Sequence, residues 1–324
     1  MTPGTASRLA LPAFMLLALT ACATAVPDKA RPLAYVAGGA DSPAVRYAPL
    51  IIPEQARQRY NRVGTAAARR NVQGEAEIFI DSASPTYYFQ QREFRAGLSR
   101  YTNLIYRVHF ERVPYLHLTS GKNGGLFIIV TLDPAQRPLL ITTVHTCGCY
   151  LAFLPTSFMP DSAFPDGWNK DRQRVFGIDL PGQVPFSQPL SGQQRLVITV
   201  KDATHRVTGA HVADLEGLRN GYRLIDAAMA PMAQLKRLPF EDASISFYHE
   251  NGPAKGYVRN AAKPFELLLM SWWVFDARVG VDKEYGPAAE TGTVFYTSLR
   301  PWKRKASDMW PFADFLAFWG WNLP

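Results

Sequence analysis

Apolar and polar side chains alternate along many segments of this chain, and a period of two residues is typical of β-strands. In the segment 104–111, for example, Leu104, Tyr106 and Val108 alternate with more polar neighbours. His109 falls on the polar side of that alternation, where a solvated histidine is expected. The same pattern predicts strands at 75–81, 104–111, 174–180, 195–201, 245–249 and 293–298.

Two consecutive segments predict a hairpin near the middle of the chain. Residues 126–132 are continuously apolar and β-branched, as expected for a strand that is buried on both faces. A short loop over 133–138 then leads into a second strand at 139–147. This hairpin ends in the sequence HTCGC, which contains two of the three cysteines.

Helical spacing of apolar residues occurs in fewer places. Leu215 to Met232 recur at helical intervals, which predicts one long helix over 214–235. A second helix is predicted to begin at Ser307 as its N-cap, and one face of it is aromatic. The residues on that face are Phe312, Phe315, Leu316 and Trp319.

Two further segments complete the prediction of the fold. Residues 53–71 predict a short helix with arginines on one side, and 266–275 is expected to be strongly buried because it is almost entirely apolar. Together the patterns predict an α+β protein. Its body is β-rich, with a largely antiparallel sheet, one long helix and an aromatic C-terminal helix.

The first 22 residues have the features of an export signal. Arg8 precedes an apolar run of thirteen residues, Leu9 to Ala21, which is too short to span a bilayer as a helix. The run closes on Leu19, Thr20, Ala21 and Cys22, and this tetrad resembles the lipobox of bacterial lipoproteins. The resemblance covers residues 1–22 only.

The resemblance implies that 1–21 is a signal peptide and that Cys22 is lipidated, for example with palmitate. The acyl chains would hold the protein on a membrane without a transmembrane helix. In that family Asp after the lipidated Cys favours retention in the inner membrane, and here Ala23 occupies the position. In a Gram-negative organism we therefore expect an outer-membrane anchor with the body facing the periplasm.

Composition divides the mature chain into two parts. Residues 22–55 are rich in Ala, Pro and Gly and predict a flexible tether, and 56–324 is predicted to be a single globular β-rich domain. The formal net charge of +8 is mostly scattered, and its local concentrations lie at 57–70 and 300–305. Neither accompanies a nucleic-acid motif, so we expect an anionic envelope surface and other envelope components, not nucleic acid, as partners.

The candidate chemistry lies in the HTCGC segment. Lipidation of Cys22 would leave Cys147 and Cys149 as an even pair of thiols in an oxidising compartment. Residues two apart on a strand are separated by about 6.6 Å, near the upper limit for a disulfide, so pairing needs a bend at Gly148. The open alternatives are a stable disulfide, packed free thiols, or a labile disulfide whose thiol pKa His145 adjusts.

A metal site is the other interpretation of this segment. His145, Cys147 and Cys149 supply an imidazole and two thiolates, which suit Zn or Cu(I). A flat strand cannot bring all three to one ion, so a further ligand has to come from elsewhere. His205 and His211 are the first candidates because they would share a strand face, and His117 and His249 are the others.

No motif in the chain assigns a reaction. The turn at 120–125 lacks the spacing of a phosphate loop, and HExxH, GxSxG and CxxC are absent from the sequence. The sequence therefore favours a noncatalytic envelope lipoprotein with a binding or structural role. The alternative is a thiol-dependent redox enzyme or a metal chaperone.

Overall fold

The computed structural model describes residues 31–324, and the predicted signal peptide and Cys22 lie outside this range. The strands are β1 (Leu33–Ala37), β2 (Leu50–Pro53), β3 (Val63–Arg70), β4 (Ala76–Asp81), β5 (Thr86–Ala96), β6 (Ser99–Phe110), β7 (Arg112–Val113), β8 (Gly121–Lys122), β9 (Gly125–Leu132), β10 (Pro138–His145), β11 (Ala152–Pro155), β12 (Arg172–Val175), β13 (Ile178–Pro181), β14 (Gln194–Val200), β15 (Val207–Asp214), β16 (Arg223–Pro231), β17 (Leu238–Phe240) and β18 (Ala243–Ile245). The α-helices are α1 (Pro43–Arg46), α2 (Leu215–Gly221), α3 (Pro264–Val274), α4 (Ala288–Thr291) and α5 (Phe312–Phe318).

One twelve-stranded sheet organises the body. Its main path is β11-β10-β9-β6-β5-β16-β1-β2-β14-β15, and β3 and β4 branch from β6. Most neighbours are antiparallel, but β16 runs parallel to β1 and β5, and β14 runs parallel to β2. The prediction of a β-rich, largely antiparallel body is confirmed, as is the hairpin of β9 and β10.

Apolar side chains cover both faces of the central strands. Along β9, Leu126, Ile128 and Val130 join one core, whereas Phe127 and Ile129 join the other. This explains the continuous apolar run of β9. It also explains why His109 is fully buried although it was predicted to be solvated, because the polar side of β6 lies under the second core.

The predicted long helix over 214–235 is wrong. Only Leu215–Gly221 is α-helical, Arg223–Pro231 forms β16 between β1 and β5, and Met232–Lys236 is a short 3-10 helix. Pairing on both sides supplies β16 with two ladders of backbone hydrogen bonds, which outweigh a helical spacing of apolar side chains. Gly217 and Gly221 also weaken a helix here. The helices of this protein are short, so the α+β description is not confirmed.

Residues 31–71 differ most from their prediction. β1 and β2 lie inside the sheet and are largely buried, although 22–55 was predicted to be a tether. β3 replaces the helix predicted within 53–71, and it pairs antiparallel with β4. For β1 and β2 the missing information was a strand far along the chain, because β1 pairs with β16 and β2 pairs with β14.

The C-terminal third contains the other differences. Residues 266–275 are mostly α3, and much of that helix is exposed instead of buried. The aromatic helix exists as α5, and its Phe312, Phe315 and Leu316 are buried, whereas Trp319 follows the helix and is 37% exposed. Its N-cap is Pro311, not Ser307, because the Ser307 hydroxyl accepts hydrogen bonds from the backbone of Thr297 and Ser298.

Three predicted strands are only partly present. A hairpin of β12 and β13 takes the place of a single strand at 174–180. The segment 293–298 makes one isolated β-bridge, between Tyr296 and Asp308. Of the predicted strand 245–249, only Ile245 belongs to a strand, as the last residue of β18. Between residues 31 and 324, no helix is both long enough and apolar enough to cross a bilayer.

The strand directions bring several loops to one end of the sheet, called here the cysteine end. β1 and β9 begin there, and β6 and β10 end there. The turn between β5 and β6, which carries Leu98, lies at the opposite end. Arg31, which precedes β1, and the HTCGC segment therefore lie at the same end of the molecule.

Candidate functional site

The HTCGC segment is a tight turn at the end of β10. The backbone N–H of Gly148 donates to the carbonyl of His145 at 2.7 Å, and the N–H of His145 donates to the carbonyl of Cys149 at 2.9 Å. Gly148 has φ of +92°, a conformation that a side chain disfavours. The bend that the thiols require is therefore present at Gly148, and Cys147 and Cys149 lie on the same turn.

The two thiols contact each other but are not bonded. Cys147 is buried and Cys149 is half-buried. A hydrogen bond with Cys149, together with the positive charge of Lys263, lowers the pKa of the Cys147 thiol. The same hydrogen bond and burial raise the pKa of Cys149. The Cys147 thiol therefore ionises before the Cys149 thiol, and Cys149 donates the hydrogen bond to the Cys147 sulfur.

A buried cluster of charged side chains supports this turn. The Lys263 ammonium lies 3.3 Å from the Asp282 carboxylate, and both side chains are almost fully buried. Asp282 in turn accepts a hydrogen bond from the hydroxyl of Thr146. The Lys283 ammonium donates to the carbonyl of Cys147 at 2.6 Å. The peptide between Cys147 and Gly148 is therefore fixed by charge-assisted contacts.

A cavity of about 500 Å³ opens beside the cysteines. Its walls are mainly apolar and come from the turn after β10, from β11 and β12, from α3 and from the residue that follows α5. The volume falls within the usual range for small-molecule sites, which are also mostly apolar. The larger apolar side chains in the wall are Leu118, Tyr150, Leu151, Phe153, Trp168, Val175, Phe176, Met270, Tyr296, Leu299 and Trp319.

Glu266 is the unusual polar residue in this wall. It lies in the first turn of α3 and is 4% exposed, and its Oε2 has no hydrogen-bond partner. Burial raises the pKa of Glu266, so its carboxyl holds a proton to higher pH than a solvated one. A buried carboxyl oxygen without a partner is costly, and this cost adds to the preference of Glu266 for its neutral, protonated form.

The predicted metal ligands do not meet at the cysteines. The Nε2 of His145 donates to the carbonyl of His205 at 3.1 Å. The ring of His205 stacks on Phe110 at 4.0 Å between centroids, and its Nε2 donates to the carbonyl of Tyr60. His211 is exposed on β15, which begins after His205, so the two do not share a strand face.

The part of the chain from residue 31 onward therefore lacks a group of three metal-ligating side chains. Burial lowers the pKa of His145 to about 4 and that of His205 to about 3, so both imidazoles are neutral near pH 7. Each ring uses its Nε2 proton in a backbone hydrogen bond. Of the candidate ligands, the structure brings together Cys147 and Cys149 only, and residues 31–324 do not assemble the Zn or Cu site that was one interpretation of the sequence.

Glu266, Lys263 and Asp282 were not predicted from the sequence. Glu266 had one available signal, because it is the single acid in the apolar segment 264–275. Lys263 and Asp282 had none, since both become buried only when the loops of the cysteine end fold together. Comparison with known proteins adds no relative: no family model matches the chain, and no curated protein or solved structure shows significant similarity to it.

Proposed function

We propose that this protein is a lipid-anchored envelope protein that binds an apolar small molecule in the cavity beside Cys147 and Cys149. The observation that carries the proposal is the buried carboxyl side chain of Glu266 in the wall of that apolar cavity. Binding sites combine apolar walls with a few placed polar groups in this way. The role is one of binding and not of catalysis.

The wall indicates the chemistry of the ligand. Most of the cavity is aromatic or aliphatic, so the ligand has a hydrocarbon body. In its protonated form the carboxyl of Glu266 donates a hydrogen bond, which suits a ligand with one acceptor group, such as a carboxylate, a carbonyl or a hydroxyl. A long-chain fatty acid satisfies both requirements.

Binding of a fluorescent polyene fatty acid to the purified protein tests the proposal. Val175→Trp places a large side chain in the cavity wall and is expected to abolish saturable binding. Val72→Trp, at an exposed position away from the cavity, is the matched control and should bind like the wild type. Glu266→Gln keeps the shape but changes the polar group, and we expect about tenfold weaker binding, or about 1.4 kcal/mol.

Equal affinity of Val175→Trp and the wild type for the probe would refute the binding proposal. The comparison requires that Val175→Trp unfolds at the same denaturant concentration as the wild type. Equal binding would mean that the probe associates with another apolar surface. A normal affinity in Glu266→Gln would instead remove the carboxyl from the proposal and leave only the apolar walls.

The anchor rests on the resemblance of residues 19–22 to a lipobox. Cys22→Ala is expected to abolish incorporation of a labelled acyl chain, and fractionation of cells should place the wild-type protein in the outer membrane of a Gram-negative host. Cys149→Ala is the control for acylation at another cysteine and should label normally. Continued labelling of Cys22→Ala would exclude the lipobox assignment.

A second candidate function is dithiol–disulfide exchange. The contact between the two unbonded thiols and the lowered pKa of Cys147 favour it. In that reaction the Cys147 thiolate attacks a disulfide of a partner protein, and Cys149 then releases the reduced partner as the Cys147–Cys149 disulfide forms. Cys149→Ala should trap a mixed disulfide through Cys147, and no trapped species would form if the thiols are only structural.

A further inference from the structure

Helix α3 carries an outward apolar stripe. Leu268, Trp272 and Phe275 follow one another at helical spacing, and each is more than 70% exposed. The opposite side of the helix faces inward through Glu266, Met270 and Val274. An apolar stripe on the outer side of a helix has no packing role within the protein, and such exposed stripes mark interaction surfaces.

The stripe is part of a larger exposed apolar surface. Fourteen large hydrophobic side chains are exposed in residues 31–324, and all but Val72 and Leu98 belong to α3, to neighbouring loops or to the cavity wall. Leu116 lies in the loop between β7 and β8, whose Tyr115 and Leu118 lie beside Pro264 and Met270. Trp302 is held nearby because the guanidinium of Arg304 donates to the carbonyls of Val274 and Phe275.

Positive charge borders this apolar surface. Arg300, Lys303 and Lys305 are exposed in the segment that follows Leu299, and no acid occurs between 299 and 306. The acid of α3, Glu266, faces the cavity and is buried. Exposed Trp and Leu side chains with Lys and Arg at their border are the composition of surfaces that bind anionic bilayers.

The position of the surface agrees with the proposed anchor. Arg31 enters the sheet at the cysteine end, where α3 also lies. The nine peptide steps from Cys22 to Arg31 reach at most about 30 Å, so a lipidated Cys22 would keep this end close to the bilayer. The opposite end of the sheet would point away from the membrane.

We infer that α3, with Leu116 and Trp302, docks on the surface of an anionic phospholipid bilayer. This inference rests on the proposed lipid anchor for its orientation. Docking would insert Leu268, Trp272 and Phe275 among the acyl chains, and Arg300, Lys303 and Lys305 would contact phosphate groups. The mouth of the cavity would then open next to the membrane, because Met270 of the same helix lines it.

The test uses the full lipidated chain in vesicles of phosphatidylethanolamine and phosphatidylglycerol with brominated acyl chains. Bromine quenches tryptophans that enter the bilayer, so wild-type fluorescence should fall on reconstitution. The double variant Leu268→Glu/Phe275→Glu keeps every tryptophan and is expected to lower the quenched fraction at least about twofold, because acidic side chains at this depth are unfavourable. Leu98→Glu, at the opposite end of the sheet, is the matched control and should be quenched like the wild type.

Co-flotation with the vesicles separates this inference from the proposed anchor. Flotation without tryptophan quenching would overturn docking by α3 while the anchor stands, and absence of flotation would overturn the anchor. Because the altered side chains are exposed, circular dichroism should show an unchanged fold. If Leu268 and Phe275 instead control formation of a dimer in detergent, the stripe is an interface between copies of this chain and the inference is wrong.

Discussion

Gly148 lies directly against the carbonyl oxygen of Tyr296, so a Cβ on residue 148 would overlap that oxygen. The positive φ of Gly148 adds a second restriction. The turn that carries the two thiols therefore depends on a residue without a side chain. Its position also links the end of β10 to the C-terminal segment that completes the cavity.

Gly148→Ala is expected to destabilise the protein by about 3 kcal/mol, through the unfavourable φ and the overlap with Tyr296. Gly167→Ala is the matched control, because Gly167 has φ of +73° but open space around its Cβ position. We expect only about 1 kcal/mol for that change. Urea unfolding of both variants measures the difference between their free energies of unfolding. Equal losses of stability in the two variants would show that the overlap with Tyr296 does not add to the cost of Gly148→Ala.

The buried histidines predict a loss of stability in acid. Burial lowers the pKa of His145 to about 4 and of His205 to about 3, and it also lowers that of His109. Below pH 6.5 the unfolded chain binds protons on these imidazoles and the native chain does not. The contribution of these histidines to the free energy of unfolding is therefore fully present above pH 6.5. It declines as pH falls toward 4, by roughly 1 kcal/mol per pH unit for each histidine.

Unfolding free energies measured between pH 7.5 and pH 5 check this dependence. His205→Gln retains a donor for the carbonyl of Tyr60 but cannot titrate, so the slope should fall by about one third. His211→Gln changes an exposed imidazole and should leave the slope unaltered. An identical slope in His205→Gln would show that His205 is protonated equally in both states.

The ion pair of Lys263 and Asp282 should be costly to break. Both side chains are at least 95% buried, so Asp282→Asn leaves the ammonium of Lys263 without its carboxylate. We expect a loss of about 3 kcal/mol, and the double variant Lys263→Met/Asp282→Asn should recover part of it. Glu93→Gln breaks the exposed pair with Arg100 and should change stability by less than about 0.5 kcal/mol.

Thermal and urea unfolding of these variants provide the comparison. A loss in Asp282→Asn no larger than in Glu93→Gln would mean that water reaches Lys263 in the native protein. The result also bears on the cysteines, because the charge of Lys263 contributes to the lowered pKa of Cys147.

The hydrogen bond between the thiols predicts how Cys147 titrates. Cys149→Ala removes the donor and should raise the pKa of Cys147, whereas Cys149→Ser keeps a donor and should raise it less. Thiolate absorbance in the ultraviolet, followed against pH, measures the change. If the alanine and serine variants titrate alike, the hydrogen bond does not determine the pKa of Cys147.

The sequence determined the elements whose reasons lie in neighbouring residues. Alternation at 76–81 and 104–110 identified β4 and β6, and the apolar run of β9 indicated a strand buried on both faces. The need for a bend at Gly148 also followed from local geometry, since two thiols two residues apart cannot meet on a straight strand. The sequence also identified Cys147 and Cys149 as a pair of thiols, because the two residues are neighbours in the chain.

Tertiary structure decided which apolar segments are covered. Residues 266–275 were expected to be buried, yet α3 exposes Leu268 and Trp272, whereas the aromatic face of α5 lies in the core. Both segments are apolar, but Phe312, Phe315 and Leu316 of α5 find other parts of the chain to pack against, and Leu268 and Trp272 do not. Likewise β1, β2 and β16 are strands because each meets a strand distant in sequence, and no local pattern records that pairing. The cavity and Glu266 depend on the same long-range assembly.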